Sequence, residues 1–347
     1  MLKMWKGRIP GMMIDIHTHI LPPTFPEFKK KFGYGGFMEL HRKTNACSDM
    51  VRDDGTHFRT IESNCWDASV RIAESDQAGV RWQVLSTVPT LFSYWAKPQD
   101  GLEVAEYLND HIASVVSDHP NRFVGLGTLP MQDTRLAIQE LRRCRESLGF
   151  CGVEIGTHIM GKNLDEPEVV EVLEAASELD MAVFVHPWDM VGMERMQRYW
   201  LPWLVGMPHE VSLAIASLIF GGVLDRLPKL RIAFAHGGGS IASIIGRLDR
   251  GYVARPDLTQ VNQIKEPHTY LPKIFVDSLV HDSEALQRIL AIFGEGRVML
   301  GTDYPFPLGE PIAGQMIAKM GMNEPLKKRL VFDNACAWLG HRFKGNG

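Results

Sequence analysis

MMIDIHTHILPP, residues 12–23, places two histidines two positions apart at the end of a short apolar run, with an aspartate just ahead of them. The run itself, MIDIHTH (13–19), is short, apolar and rich in β-branched residues, and it reads as a strand. Seven more runs of that kind follow: VRWQVLSTV (80–88), FVGLGTLP (123–130), CGVEIGT (151–157), AVFVHPW (182–188), RIAFAHG (231–237), IFVDSLV (274–280) and RVMLGTD (297–303). Between them lie stretches with helical spacing at 66–78, 102–118, 134–148, 167–179, 210–225, 240–250 and 283–293, several opened by Asp or Ser and closed by Gly or Pro. Eight strands alternating with helices predict a parallel sheet, and a (β/α)8 TIM-type barrel fits better than a doubly wound sheet. No glycine-rich dinucleotide loop follows the first strand.

Two segments break the rhythm. Residues 22–65, rich in Gly, Lys and Phe with alternating pieces such as GTHFRTIES, predict a small insertion of short antiparallel strands over the barrel mouth, so the barrel with its insertion spans 13–347. Residues 187–210 predict a long connection, a length usually associated with function. The opening MLKMWKGRIPGM (1–12) lacks the apolar segment of a secretory signal and reads as a disordered extension or an upstream start, with Met13 an equally plausible first residue.

Composition bounds the partners. A chain of 347 residues with 45% apolar and 22% charged residues is an ordinary globular protein, and a net charge of −4 gives nucleic acid or anionic lipid no purchase. No apolar run approaches the ~18 residues of a membrane span. The five cysteines, Cys47, Cys65, Cys144, Cys151 and Cys336, show no CxxC spacing and read as reduced thiols of a cytoplasmic protein.

In such a barrel the working face is the carboxyl end of the strands. His17 and His19 end the first run, His186 the fifth, His236 the sixth and Asp303 the eighth. Two residues apart on a strand, His17 and His19 project to the same side and can grip one ion. Imidazoles with one carboxylate suit a borderline divalent metal such as zinc, with cobalt or manganese acceptable to the same donors. His236 in AFAHGGGS can be read as a core residue, a ligand or a base; a neutral imidazole beside a cation favours the base. The glycines after it predict helix-start N–H groups open to an anionic ligand. Asp303 can be read as a cap of the TDYP turn, but its strand-end position favours the metal. Glu154 stands on the fourth run where no lysine is available to bridge two ions, which predicts one ion per subunit. His41, His111, His119, His158, His209, His268 and His281 read as structural.

Nine stretches in order, IDIHTHILP (14–22), KKFGYGG (30–36), ESNCWD (62–67), LSTVPTLFSYWAKP (85–98), RFVGLGTLPMQ (122–132), FVHPWDM (184–190), YWLPWLVGMP (199–208), FAHGGGS (234–240) and LGTDYPFPLGE (300–310), resemble the amidohydrolase superfamily. Within it they resemble the decarboxylases that convert 2-amino-3-carboxymuconate 6-semialdehyde to 2-aminomuconate 6-semialdehyde, in tryptophan catabolism by the kynurenine route. The likeness runs over nearly the whole chain from Met13. It implies an oxygen-independent zinc enzyme whose metal is held by His17, His19, His186 and Asp303, with His236 as the acid/base. It further implies that Arg59 holds a substrate carboxylate, that Trp203, Met190 and Phe306 line the pocket, and that Arg247 comes from the neighbouring subunit of a homodimer. The small-molecule substrate is a dicarboxylate. Where animal members place a lysine a few residues before the Phe-Arg pair, this chain has VRDDGTHFR, with Arg52 nearby. A metal-dependent hydrolase opening a lactone or amide on the same barrel is the alternative expectation.

Overall fold

A computed structural model describes residues 12–345. The expectation for the N-terminal extension falls on residues 1–11, outside them, and on Met12. In chain order the strands are β1 (Met13–Ile20), β2 (Met38–Thr44), β3 (Cys47–Arg52), β4 (His57–Glu62), β5 (Val80–Thr87), β6 (Phe123–Thr128), β7 (Gly152–Gly156), β8 (Ala182–His186), β9 (Ile232–Phe234), β10 (Phe275–Asp277) and β11 (Val298–Met299). Eight of them pair in parallel in the order β1-β5-β6-β7-β8-β9-β10-β11, while β2, β3 and β4 form a separate antiparallel sheet. The wall closes beyond β11, where Asp303 N donates to His17 O at 2.8 Å and His19 N to Tyr304 O at 2.8 Å. The barrel and the insertion of antiparallel strands are those the sequence predicts.

Local chemistry sets the helix boundaries. Asp67 caps Ala68–Ala78 by accepting from Ser69 N and Val70 N, and Gly79, in the left-handed region, ends it. The stretch expected at 210–225 divides instead. Helical structure begins at Pro202 with a wide turn, Pro202–Gly206, continues as Met207–Phe220, and stops where Gly222 turns left-handed. About nine residues expected in the long connection are therefore helical. The run Pro202–Phe220 is also apolar and long enough to cross a membrane by length and composition, contrary to the expectation from the sequence. In the fold it is a barrel helix, with Val211, Ile215, Leu218 and Ile219 fully buried.

One irregularity decides where the site can be. β1 pairs with β5 through Asp15↔Gln83 and then Thr18↔Leu85, so three steps on β1 answer two on β5. The extra residue is a bulge, and a bulge resets which side chains face inward. Ile14 and Ile16 join the core inside the barrel with Phe184 and Trp338, yet His17, the next residue, also packs against Phe184, ring centroids 5.0 Å apart. Strict alternation would have sent either the isoleucines or the histidines outward.

The opposite end of the barrel is stoppered by the last helix, Asn334–Leu339. Trp338 is fully buried there, 6.1 Å from the Phe184 ring, so the floor is one ring away from the first histidine. Its indole nitrogen has no hydrogen-bond partner among the described residues, leaving apolar packing as its contribution. Trp338→Ala should cost about 3–5 kcal/mol of stability in urea unfolding. Trp338→Phe, which forfeits no hydrogen bond, should cost well under half of that.

Candidate metal centre and its cavities

His17, His19 and Asp303 meet at the carboxyl end of β1 and β11, and His186 joins them from the end of β8. One donor atom from each lies within 4.8 Å of all the others. His17 Nε2 and His19 Nε2 are 3.2 Å apart, and Asp303 Oδ1 stands 3.2 Å from His19 Nε2 and 3.5 Å from His17 Nε2.

The outer nitrogens explain why the inner ones converge. His19 Nδ1 donates to Thr87 O at 2.9 Å and His186 Nδ1 to Pro187 O at 2.9 Å; a carbonyl only accepts, so both Nδ1 atoms carry the proton. His17 Nδ1 donates to Asp277 Oδ2 at 2.7 Å. With Nδ1 occupied as donor, the neutral form of each ring presents a bare lone pair at Nε2, the tautomer that a metal takes. His186 Nε2 is buried with no hydrogen-bond partner among the described residues. Lone pairs turned toward one another and toward a carboxylate are repulsive unless a cation lies among them. The residues present therefore fit a divalent ion.

Charge follows the same geometry. Burial is the largest influence on His186 and, with repulsion from His19 and His17, it holds that imidazole far below the usual range. Burial, followed by repulsion from His17, brings His236 down to about 4. Asp303 is held below the usual carboxylate range: burial opposes this but is outweighed by the His19 hydrogen bond and the neighbouring imidazoles. Glu154 sits 3.7 Å from His19 Nδ1, and burial pushes it up to about 8, a neutral acid near pH 7. It adds no second anion with which to hold a second ion.

The residue that organises the rim was invisible to motif reading. Asp277, inside IFVDSLV, accepts from the His17 ring and also from His236 N at 2.9 Å, Gly237 N at 2.7 Å and Leu279 N at 3.0 Å. This corrects the expectation drawn from AFAHGGGS. The N–H groups after β9 are not open to a ligand: Asp277 takes those of His236 and Gly237, while Gly238 N donates to Ala235 O, Gly239 N to His236 O and Ser240 N to Ser212 Oγ. Those glycines are needed for backbone shape instead: Gly237, Gly238 and Gly239 have φ of 62°, 77° and 64°, and a Cβ at Gly239 would lie 2.3 Å from Pro208 O. Gly301 has a different role, since a Cβ there would lie 2.7 Å from Asp277 Cβ and 2.8 Å from His17 Cβ. The turn reading of Asp303 is met by its backbone, with Phe306 N donating to Asp303 O at 2.9 Å, which leaves the side chain for the histidines.

Two cavities reach this centre. The first, about 310 Å³, touches His19, His186 and Asp303 and is walled by the insertion sheet and the 187–208 connection. Met190, Trp203, Phe306, Arg52 and Arg59 all line it. The Arg59 guanidinium lies 4.8 Å over Phe306, 5.1 Å over Phe58 and 5.9 Å over Trp203, with no ion pair among the described residues. Burial lowers its pKa, partly offset by the Asp303 carboxylate. Phe306 in turn stands 5.6 Å from the His19 ring. The second cavity, about 290 Å³, holds His236, whose ring is 5.4 Å from His17 and 5.2 Å from His186. Arg247 is not brought to the site by its own chain: it is exposed on the helix Ile241–Ala254 and lines neither cavity.

Residues 14–340 match the amidohydrolase family, described as such. Over 331 residues the chain is 54% identical to a 2-amino-3-carboxymuconate-6-semialdehyde decarboxylase of Dictyostelium discoideum, covering 95% of this chain and 92% of that one. To the enzyme of the same name in Caenorhabditis elegans it is 39% identical, covering 88% of each. The chain is thus an amidohydrolase, and within that class it belongs to the family of the 2-amino-3-carboxymuconate-6-semialdehyde decarboxylases. The fold is shared with an apo IDCase of Metarhizium anisopliae (TM-score 0.82, 21% identity, 95% and 97% of the two chains). It is shared too with a 5-carboxyvanillate decarboxylase of Novosphingobium aromaticivorans complexed with manganese (TM-score 0.78, 22% identity, 96% and 97%).

If Asp277 fixes the His17 tautomer, then Asp277→Asn should weaken metal binding about 10- to 100-fold, as loss of such outer partners does, read by chelator competition on the folded protein. An unchanged affinity would show that His17 needs no such support.

Proposed function

We propose that this protein is a zinc-dependent, oxygen-independent decarboxylase that converts 2-amino-3-carboxymuconate 6-semialdehyde to 2-aminomuconate 6-semialdehyde and CO2, a step of tryptophan catabolism by the kynurenine route. The observation that carries the reading is the pairing, across one cavity, of a four-donor metal cluster with an arginine that has no ion pair among the described residues. An aromatic-lined cavity with an uncompensated guanidinium is a receptor for a flat, unsaturated carboxylate.

His17, His19, His186 and Asp303 would hold one zinc per subunit, with cobalt or manganese tolerated. A divalent ion in such a site supplies Lewis acidity and makes a water molecule acidic towards pH ~7. Arg59 grips a carboxylate that the substrate keeps, while Phe58, Phe306 and Trp203 hold the guanidinium plane and cover the conjugated chain. Met190, buried in the same cavity wall, excludes water beside His186. Arg52 reaches that cavity from the end of β3 and adds a second cation to the side that holds the retained carboxylate. His236 has no hydrogen-bond partner for its ring among the described residues and is neutral near pH 7, so it can take a proton and deliver it to the substrate carbon.

Arg247 we assign to a neighbouring subunit's site in a homodimer. Its exposure supports this, as does the absence of an ion pair among the described residues. It also lies one helical turn beyond Ser243 in the wall of the second cavity.

The activity is tested by supplying enzymatically generated substrate to the zinc-loaded protein and following loss of near-ultraviolet absorbance together with CO2. Release no faster than the spontaneous rate would end the proposal. His236→Ala should retain its zinc and lose at least about 100-fold in kcat, the scale of general acid/base catalysis; loss of zinc instead would make His236 a ligand. Mixing His236→Ala with Arg247→Ala subunits should restore part of the activity in heterodimers, and none if each site is complete in its own chain.

A further inference from the structure

The acid/base histidine of the proposed reaction does not open onto the cavity that contains Arg59. His236 lines the second cavity, and the two spaces share a partition made by Trp203, Asp303 and Leu308. A substrate gripped at Arg59 and protonated from His236 must therefore reach past the partition, with its reacting carbon turned to the second side. The carbon that takes the proton is the one that loses its carboxylate, so that carboxylate points into the second cavity as well.

The character of that cavity suits a group that enters charged and leaves neutral. Its wall is built from Leu204, Pro208, Ala242, Leu279, Val280 and Ile289. Its guanidinium, Arg288, is exposed and has no ion pair among the described residues. An apolar wall raises the free energy of a carboxylate relative to uncharged CO2. The retained carboxylate meets the opposite environment, an arginine stacked on aromatic rings.

We propose that the cavity bounded by Leu204, Ala242, Leu279, Val280 and Ile289 is the subsite for the scissile carboxylate and the outlet for CO2; this rests on the decarboxylase reading above. The bond between the substrate carbon and the carboxylate carbon breaks, its electron pair stays with the substrate, and CO2 departs without charge. The substrate carbon gains one proton from His236, which recovers it from solvent. Substrate and CO2 thus use different sides of the partition, and Arg288 and His281 stand where the second side meets water.

The test narrows this cavity without touching the metal or Arg59. Ser243, exposed on its helix, and Ala242 beside it both line the space, so Ser243→Phe and, as a second variant, Ala242→Leu should fill it. The probes are 3-carboxy-cis,cis-muconate and cis,cis-muconate, which differ only in the carboxyl group at issue, with Kd measured by calorimetry on the zinc-loaded protein. Binding of the 3-carboxy compound should weaken at least tenfold in the variants, while binding of muconate should stay within twofold and the metal content unchanged. Equal weakening of both probes, or unchanged binding of both in the two folded variants, would overturn the subsite. If the parent protein releases no CO2, the reading beneath it falls too; if it releases CO2 and the variants show no preference between the probes, the subsite alone falls.

Discussion

Holding the inner nitrogens of three imidazoles and one carboxylate oxygen within 4.8 Å of one another, in a barrel mouth largely closed to water, is the constraint to which the rest of the structure answers. Such a cluster does not form for its own stability. Each ring is drawn out of water at a cost, and the electrostatic gain comes only with a positive charge at the centre. The scaffold therefore supplies the rigidity beforehand, through hydrogen bonds to Thr87 O, Pro187 O and Asp277 that fix every ring from behind. Two of those three anchors are backbone carbonyls at strand ends, which move only if the barrel moves.

Asp277 deepens this coupling. One carboxylate ties the ring of His17 on β1 to the backbone of His236 after β9, while itself standing at the end of β10. The residue at the floor of the metal cluster and the residue read as acid/base are thereby set at a fixed separation, 5.4 Å between ring centroids. The absence of a Cβ at Gly301 is what lets β1, β10 and the segment after β11 approach closely enough for this. Phe306 plays a comparable part on the other side, lying between the Arg59 guanidinium and the His19 ring.

The alternation of apolar runs and amphipathic stretches carried the barrel into the sequence, because parallel strands buried on both faces must be apolar over their length and their helices must be one-sided. The insertion was legible from its break in that rhythm. Strand-end position picked out His17, His19, His186, His236 and Asp303, and all five do converge. Three things were not legible, each for a physical reason. The bulge between Asp15 and Thr18 is a matter of register with Gln83 and Leu85 on a partner strand far along the chain, and nothing in MIDIHTH announces it. Asp277 lies in an ordinary strand, and an aspartate receives meaning only from the N–H groups that surround it in space. The start of the helix at Pro202 was masked because Trp-Leu-Pro-Trp reads as a loop, although proline is at home in a first helical turn.

The two cavities also bear on why such a barrel would carry out a decarboxylation and not merely bind a dicarboxylate. Binding both carboxylates equally well would stabilise substrate and transition state alike and leave the barrier where it was. The chain distributes its polarity unequally. Arginines and a stack of aromatic rings face one side of Asp303, while the other side offers mostly aliphatic walls around His236. Charge retained through the reaction is matched by Arg59, and charge that disappears in the reaction meets a mostly aliphatic wall whose arginine, Arg288, stands exposed where the cavity meets water. Under that arrangement the binding energy gathered at Arg59 offsets the poor environment of the departing group, and the offset is released as the carbon–carbon bond opens. The same metal ligands set behind two cation-lined walls would hold the substrate more tightly and turn it over more slowly, so the asymmetry about Asp303 is as much a part of the proposed activity as the ion's four donors.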